Sequence, residues 1–333
     1  MTNPIFDFYR GKRVLVTGHT GFKGSWLCEI LLLAGAQVTG YSLNPPSDPS
    51  LFELLGLSER MDSRIGDVRD LAHMKQVFEE TQPESVLHLA AQPIVRESYK
   101  NPVYTYETNV MGTVHLLECA RLCPSVRSLV NVTTDKVYEN REWEYGYRET
   151  DRLDGYDPYS NSKSCSSACR AGNVIGGGDF AADRIVPDCI RAMQKGEEIA
   201  VRNPYSTRPY QHVLEPLYLY LTVAMRQYED GSFAGYYNVG PDDEDCIATG
   251  ELVDLFCGFW GGEARGGNRY DGGPHEANFL KLDCSRVKKT FGWRPRYHVS
   301  QAVEKTVEWT KEWLSGGDVR ACTDRQVEEF FMK

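Results

Sequence analysis

The chain has 333 residues, enough for about two domains at roughly 150 residues each. Hydrophobic residues make up 41% and charged residues 25%, and 37 basic against 47 acidic side chains leave a formal charge of −10. That balance argues against sequence-independent nucleic-acid binding, which needs a cationic face; no apolar run reaches the ~20 residues of a membrane span, and the first ten residues lack a signal-peptide layout, so a soluble cytoplasmic protein is expected. Ten cysteines are too sparse for a disulfide scaffold. The pairs Cys119/Cys123 and Cys165/Cys169 have no nearby histidine or matching second pair, so no metal is expected.

Residues 12–16 form a short apolar run that reads as a buried strand, and the turn Gly18-His19-Thr20-Gly21-Phe22-Lys23-Gly24 follows at once. Residues 25–33 carry a helical apolar pattern, and residues 37–41 make the next strand. Downstream, 63–67 reads as a strand, 71–81 as a helix, 85–89 as a strand, 103–122 as a long helix and 128–132 as a further strand. Strands alternating with helices in this way imply a parallel sheet covered on both faces, with ligands beyond the carboxyl ends of its strands. Glycines at 18, 21 and 24, between a strand and a helix, suit a pyrophosphate approached by backbone amides.

The end of the second strand, Tyr41-Ser42-Leu43-Asn44-Pro45-Pro46, carries neither an acid for a ribose 2′-hydroxyl nor an arginine for a 2′-phosphate. Ser42 and Asn44 could bond a hydroxyl, and Lys23 could reach a phosphate, so the residues favour NAD only weakly. Asp67 and Val68, ending the third strand, are placed to meet the adenine.

Tyr159 and Lys163 are four residues apart, on one face of a helix. A neighbouring ammonium lowers a tyrosine pKa, which suits the phenol to take a proton from a hydroxyl while hydride leaves the same carbon. Upstream, Thr133 could hydrogen-bond the reacting hydroxyl. Asp135 and Lys136 add an acid and a base, which suggests chemistry at a neighbouring carbon. Trp293 reads as core packing, and residues 314–333 as a C-terminal helix or tail.

These phrases, with Leu89-Ala90-Ala91-Gln92, Tyr156-Asp157-Pro158-Tyr159, Arg170-Ala171-Gly172-Asn173-Val174-Ile175-Gly176-Gly177-Gly178-Asp179, Asp183-Arg184-Ile185-Val186-Pro187-Asp188 and Arg208-Pro209-Tyr210-Gln211-His212-Val213, span about residues 10 to 310. In them the chain resembles the extended short-chain dehydrogenase/reductases, the NAD-dependent epimerase/dehydratase family. The Asp135-Lys136 pair is similar to the branch that works on cytidine-linked sugars, whereas the thymidine-sugar branch has Asp-Glu.

The resemblance implies an α/β fold: a Rossmann-type doubly wound parallel sheet with a smaller C-terminal substrate-binding domain. The division falls at about 1–172 and 173–333, with elements interleaved. It implies bound NAD, held by Gly18, Thr20, Gly21, Phe22, Lys23, Gly24, Asp67, Val68, Leu89, Ala90, Ala91, Tyr159 and Lys163. CDP-glucose or a similar nucleotide sugar would be the substrate, held by Asn173, Arg184, Arg208 and His275, the last beside Glu276. The implied reaction is C4 oxidation with Tyr159 as base, Lys163 lowering its pKa and Thr133 assisting. Water is then eliminated across C5 and C6, with Asp135 as acid and Lys136 in the base's position, and hydride returns to C6. A lysine can act so only if burial or nearby cations depress its pKa. Deoxysugar biosynthesis and a homodimer or higher homo-oligomer are implied as well. A nucleotide-sugar 4-epimerase would need no Asp135 or Lys136, and a non-catalytic NAD-binding scaffold is a third possibility.

One departure stands out. Only six residues separate Lys163 from Arg170, where the next parallel strand is expected. A whole crossover, helix included, normally takes at least ~10–12 residues, and the relatives carry a long helix there. Either residues are omitted from the chain or the crossover is truly shortened; the intact phrases on both sides favour the first.

Overall fold

The computed structural model describes residues 3–166, 169–261, 266–268 and 279–332. Helix α1 (Pro4–Tyr9) leads into β1 (Arg13–Thr17), α2 (Phe22–Leu33) and β2 (Gln37–Ser42). After α3 (Leu51–Leu54) come β3 (Asp62–Ile65), α4 (Leu71–Thr81) and β4 (Ser85–His88). The helix expected over 103–122 is preceded by α5 (Val95–Lys100) and is built as α6 (Pro102–Tyr106), a π-helical turn (Glu107–Met111) and α7 (Gly112–Leu122). Then follow β5 (Ser128–Thr134) and α8 (Pro158–Cys165).

The second half begins with β6 (Cys169–Ala171), β7 (Val174–Ile175), α9 (Ile185–Lys195) and β8 (Ile199–Val201). It continues through β9 (Thr207–Pro209), β10 (Gln211–His212), α10 (Leu214–Glu229), β11 (Tyr237–Val239), β12 (Cys246–Ala248) and α11 (Thr249–Trp260). Next come β13 (Gly266–Asn268), α12 (Ser285–Phe291), α13 (Val299–Leu314) and α14 (Val319–Phe331).

The central sheet has seven strands in the order β3-β2-β1-β4-β5-β6-β11, every neighbouring pair parallel. The strand order reverses between β1 and β4, which opens a crevice beyond Thr17 and His88. Strands β4 and β5 are buried along almost their whole length, as a sheet covered on both faces requires. Because β11 completes the sheet and α10 packs along β5, residues from the second half finish the first unit. A second apolar core, with Val186, Ile190, Leu252, Phe256 and Val303, lies under the short strands of the C-terminal part. Trp293 is buried in the main core, as its sequence context suggests. All ten cysteines are free thiols. Among the described residues no helix is long and apolar enough to cross a membrane.

The crossover after Lys163 is short in the structure too. Of β5, strand β6 meets only Val132, Thr133 and Thr134, its last three residues. Among the described residues no strand flanks 128–131 on that side, and the Leu129 amide donates to Gln227 Oε1 of α10 at 2.9 Å. Helix α8 has 8 residues, so the chain leaves the helix early and enters the strand late. The structure of this chain thus carries the same short connection that the sequence shows.

Candidate active site

The glycine turn is shaped by contacts that admit no side chain. Gly18 has φ of +75°, and a Cβ there would lie 2.7 Å from the Ala90 amide nitrogen. A Cβ on Gly24 would lie 2.0 Å from the Gly18 carbonyl oxygen, so helix α2 packs against the turn itself. Gly21 occupies the N-cap of α2 without a side-chain cap, so no side chain competes for the helix's first amides. Thr20 pins the loop to the end of β2, its Oγ1 2.8 Å from Ser42 Oγ and donating to the Leu43 carbonyl at 2.9 Å. Leu89, Ala90 and Ala91 are half-buried beside it, with the Ala90 amide donating to Thr17 Oγ1 at 3.2 Å. Backbone curvature, close approach and helix dipole together fit a dinucleotide pyrophosphate.

At the end of β3 the two expected adenine contacts part company. The Asp67 carboxylate is held by Arg69 at 2.6 Å, and its carbonyl accepts from the Tyr41 hydroxyl at 2.8 Å. The side chain of Val68 is spent on the core, packed with Leu15 and Leu116 and so close that a Cβ on Gly112 would meet its Cγ2 at 2.6 Å. The expected adenine contact at Val68 is therefore left to its backbone.

Helix α8 starts on a strong signal. Asp157 accepts from the Ser160 amide at 3.0 Å, and Pro158 takes the first helical position. This presents Tyr159 and Lys163 on one face, both buried. Burial pushes the Tyr159 phenol up to about 12, against a hydrogen bond with Thr134 and the Arg184 charge. Burial, and then the Lys23 ammonium, push Lys163 down to about 7. In the protein alone, burial outweighs the neighbouring charges at both groups.

The hydroxyl partner also differs from expectation. Thr133 donates to the Cys169 carbonyl at 3.0 Å, across the β5–β6 pair. The hydroxyl bonded to Tyr159 is that of Thr134. Thr134 also donates to Asp135 Oδ1 at 3.0 Å. Asp135 is buried, and burial raises its pKa despite Lys136 and other cations. Its Oδ2 has no hydrogen-bond partner among the described residues. Lys136 is half-buried beside it.

Thr133, Thr134, Asp135, Lys136, Tyr159, Lys23, Asn173, Arg184 and Arg208 all line one cavity of about 260 Å³. Arg184 donates to Asp179 at 2.9 Å, and Arg208 is buried. His275 and Glu276 lie outside the described residues. Among the lining residues to which the sequence reading gave no role are Arg96, Asp183 and Arg202. Arg202 donates to Asp183 at 3.1 Å, and Arg96 approaches the same carboxylate at 4.0 Å from the other wall. Nothing beside Arg96 in the sequence marks it; only the fold brings it to Asp183.

Solved structures with the same architecture include a UDP-glucose 4-epimerase from Thermotoga maritima with UDP-glucose (TM-score 0.79, 21% identity, 90% of this chain and 99% of that one). A dTDP-glucose 4,6-dehydratase from Bacillus anthracis in complex with NAD gives a TM-score of 0.77 at 20% identity, over 91% of this chain and 97% of that one. The fold is thus that of the epimerases and dehydratases of nucleotide sugars. A family profile described as GDP-mannose 4,6 dehydratase matches residues 15–171. The CDP-glucose 4,6-dehydratase of Salmonella typhimurium is 46% identical over an alignment of 349 positions, covering 97% of each chain. The chain belongs to the CDP-glucose 4,6-dehydratase family of extended short-chain dehydrogenase/reductases. That alignment uses 97% of the 333 residues, about 323, so about 26 of its 349 positions have no counterpart in this chain.

Proposed function

We propose that the protein converts CDP-D-glucose into CDP-4-keto-6-deoxy-D-glucose, with NAD as a recycled hydride carrier. The reading is carried by one observation: an acid and a lysine that simple oxidation does not need, Asp135 and Lys136, share a cavity with Tyr159. NAD, when bound in the glycine cradle, supplies a hydride acceptor for C4 and later the donor for C6. Gly18, Thr20, Gly21, Phe22, Lys23 and Gly24 line its pyrophosphate side, with Asp67, Leu89, Ala90 and Ala91 toward the adenosine. Tyr159 takes the proton of the C4 hydroxyl, assisted by Lys163, and the hydrogen-bonding role passes from Thr133 to Thr134. Asp135, kept protonated more readily by burial, gives its proton to the departing C6 hydroxyl. Lys136 removes the C5 proton, which the C4 ketone acidifies, and returns a proton to C5 as hydride reaches C6. Asn173, Arg184 and Arg208 hold the diphosphate and ribose, arginine being suited to bidentate phosphate contact.

The same reading assigns residues 1–172 mainly to NAD and 173–333 mainly to the sugar nucleotide, in a cytoplasmic homodimer or higher homo-oligomer. Incubation with CDP-glucose and NAD should generate the base-induced absorbance of a 4-keto sugar. Turnover of a UDP-sugar with none of CDP-glucose would refute the substrate. Asp135→Asn should leave C4 oxidation intact and slow water loss; undiminished elimination would remove Asp135 from its role.

A further inference from the structure

Helix α8 carries the proton-handling pair yet has only two turns, and Lys163 sits in its second. The last four carbonyls of any helix lack partners within it, and residues 162–165 are those four here. So short a helix has little stability of its own and depends on what grips it. At its start the grip is the Asp157 cap. Along its flanks Asn109 Nδ2 donates to Ser162 Oγ at 2.9 Å, and Ser164 Oγ donates to the Val137 carbonyl at 2.8 Å.

The far end is held differently. The Ser166 amide closes the last turn on the Lys163 carbonyl at 3.3 Å, and Ser166 Oγ reaches the Ser162 carbonyl at 3.4 Å, both long bonds. A further contact comes from outside the helix: Asn131 Nδ2 donates to the Ser166 carbonyl. Asn131 is buried on β5, one residue before the pairing with β6 begins. It therefore sits at the step where both the helix and the neighbouring strand are cut short. One hydrogen bond away, through Ser166, is the backbone of Lys163.

We infer that Asn131 is a positioning residue that clamps the cut end of α8 and so keeps the Lys163 ammonium in its buried place beside the reaction. The inference rests on the assignment of Tyr159 and Lys163 above. An amide suits the task because it donates sideways from a strand to a carbonyl; an aspartate of the same shape offers only acceptors.

Asn131→Ala and Asn131→Asp should each lower kcat about tenfold, the worth of one buried hydrogen bond, with KM for CDP-glucose and NAD nearly unchanged. Loosening the last turn lets water reach Lys163, so the limb of the pH–rate profile that reports its ionisation should move to higher pH. Amide hydrogen exchange over residues 162–166, measured without substrate, should accelerate. Lengthening the crossover at residues 164–168 by several helical turns should reduce the effect of Asn131→Ala to less than about twofold, because the helix then continues past the clamp. Unchanged exchange together with an unmoved pH limb would overturn the inference, as would equal losses in the short and long crossovers. A wild-type protein inert toward CDP-glucose would sink the proposed function, while the exchange comparison would still decide the role of Asn131.

Discussion

Thr133 and Thr134 are one step apart on β5, and a pleated strand sends successive side chains to opposite faces. Thr133 closes the strand against β6, while Thr134 stands between Tyr159 and Asp135. Thr134→Val should lower kcat by about a hundredfold, as losing a partner in proton transfer does. Thr133→Val should cost about 1 kcal/mol of stability and much less activity. Steady-state kinetics with thermal melts on both variants checks this; a larger kcat loss for Thr133→Val would reverse the assignment. The sequence could not settle it. Alternation would place Thr133 and Asp135 on one face, but a 3₁₀ turn begins at Asp135 and breaks the period. The opposed shifts of Tyr159 and Lys163 escaped it as well, because they follow from burial.

Among the elements, periodicity served where the elements were long. Helix α4 falls on the expected 71–81, and β1 to β5 lie within a residue or two of their expected places. Beyond β6, which was expected at Arg170, the C-terminal strands were illegible because they have only two or three residues, too few to show alternation. Helices α6 and α7 expose Val103, Tyr106, Met111, Val114, Leu117 and Leu122, the last four spaced to share one side of α7 and its π-helical start. A contiguous apolar stripe on a soluble protein marks an interface. If a second copy covers it, Val114→Asp with Leu117→Asp should leave a single-chain mass in sedimentation while the parent sediments as a dimer. A dimer that survives both charges would remove this face from consideration.

At the scale of the molecule, the C-terminal helix is tied to the dinucleotide-binding helix through charge. Glu29 of α2 is fully buried and takes both Arg60 guanidinium nitrogens, at 2.6 and 2.7 Å. Asp324 of α14 meets the same carboxylate, with Arg320 3.9 Å away. Burial, then a hydrogen bond to Glu29, raises Asp324 well above the usual carboxylate range. The folded protein therefore keeps a proton that the unfolded chain releases above about pH 4, and stability falls as pH rises from there toward neutrality. Asp324→Asn should flatten that slope in urea midpoints compared at about pH 5 and about pH 7. An unaltered slope would show that the proton resides elsewhere.

The shortened crossover sets a rule of proportion. A helix rises ~1.5 Å per residue and a parallel strand ~3.3 Å. Trimming the end of a helix and the start of the strand after it leaves the two stumps level only when slightly more than two helical residues go for each strand residue. Trimming the helix alone would leave a drop that a three-residue hop could not span. Any lengthening of this crossover should therefore add helix and strand residues in about that proportion if Tyr159 and Thr134 are to keep their places.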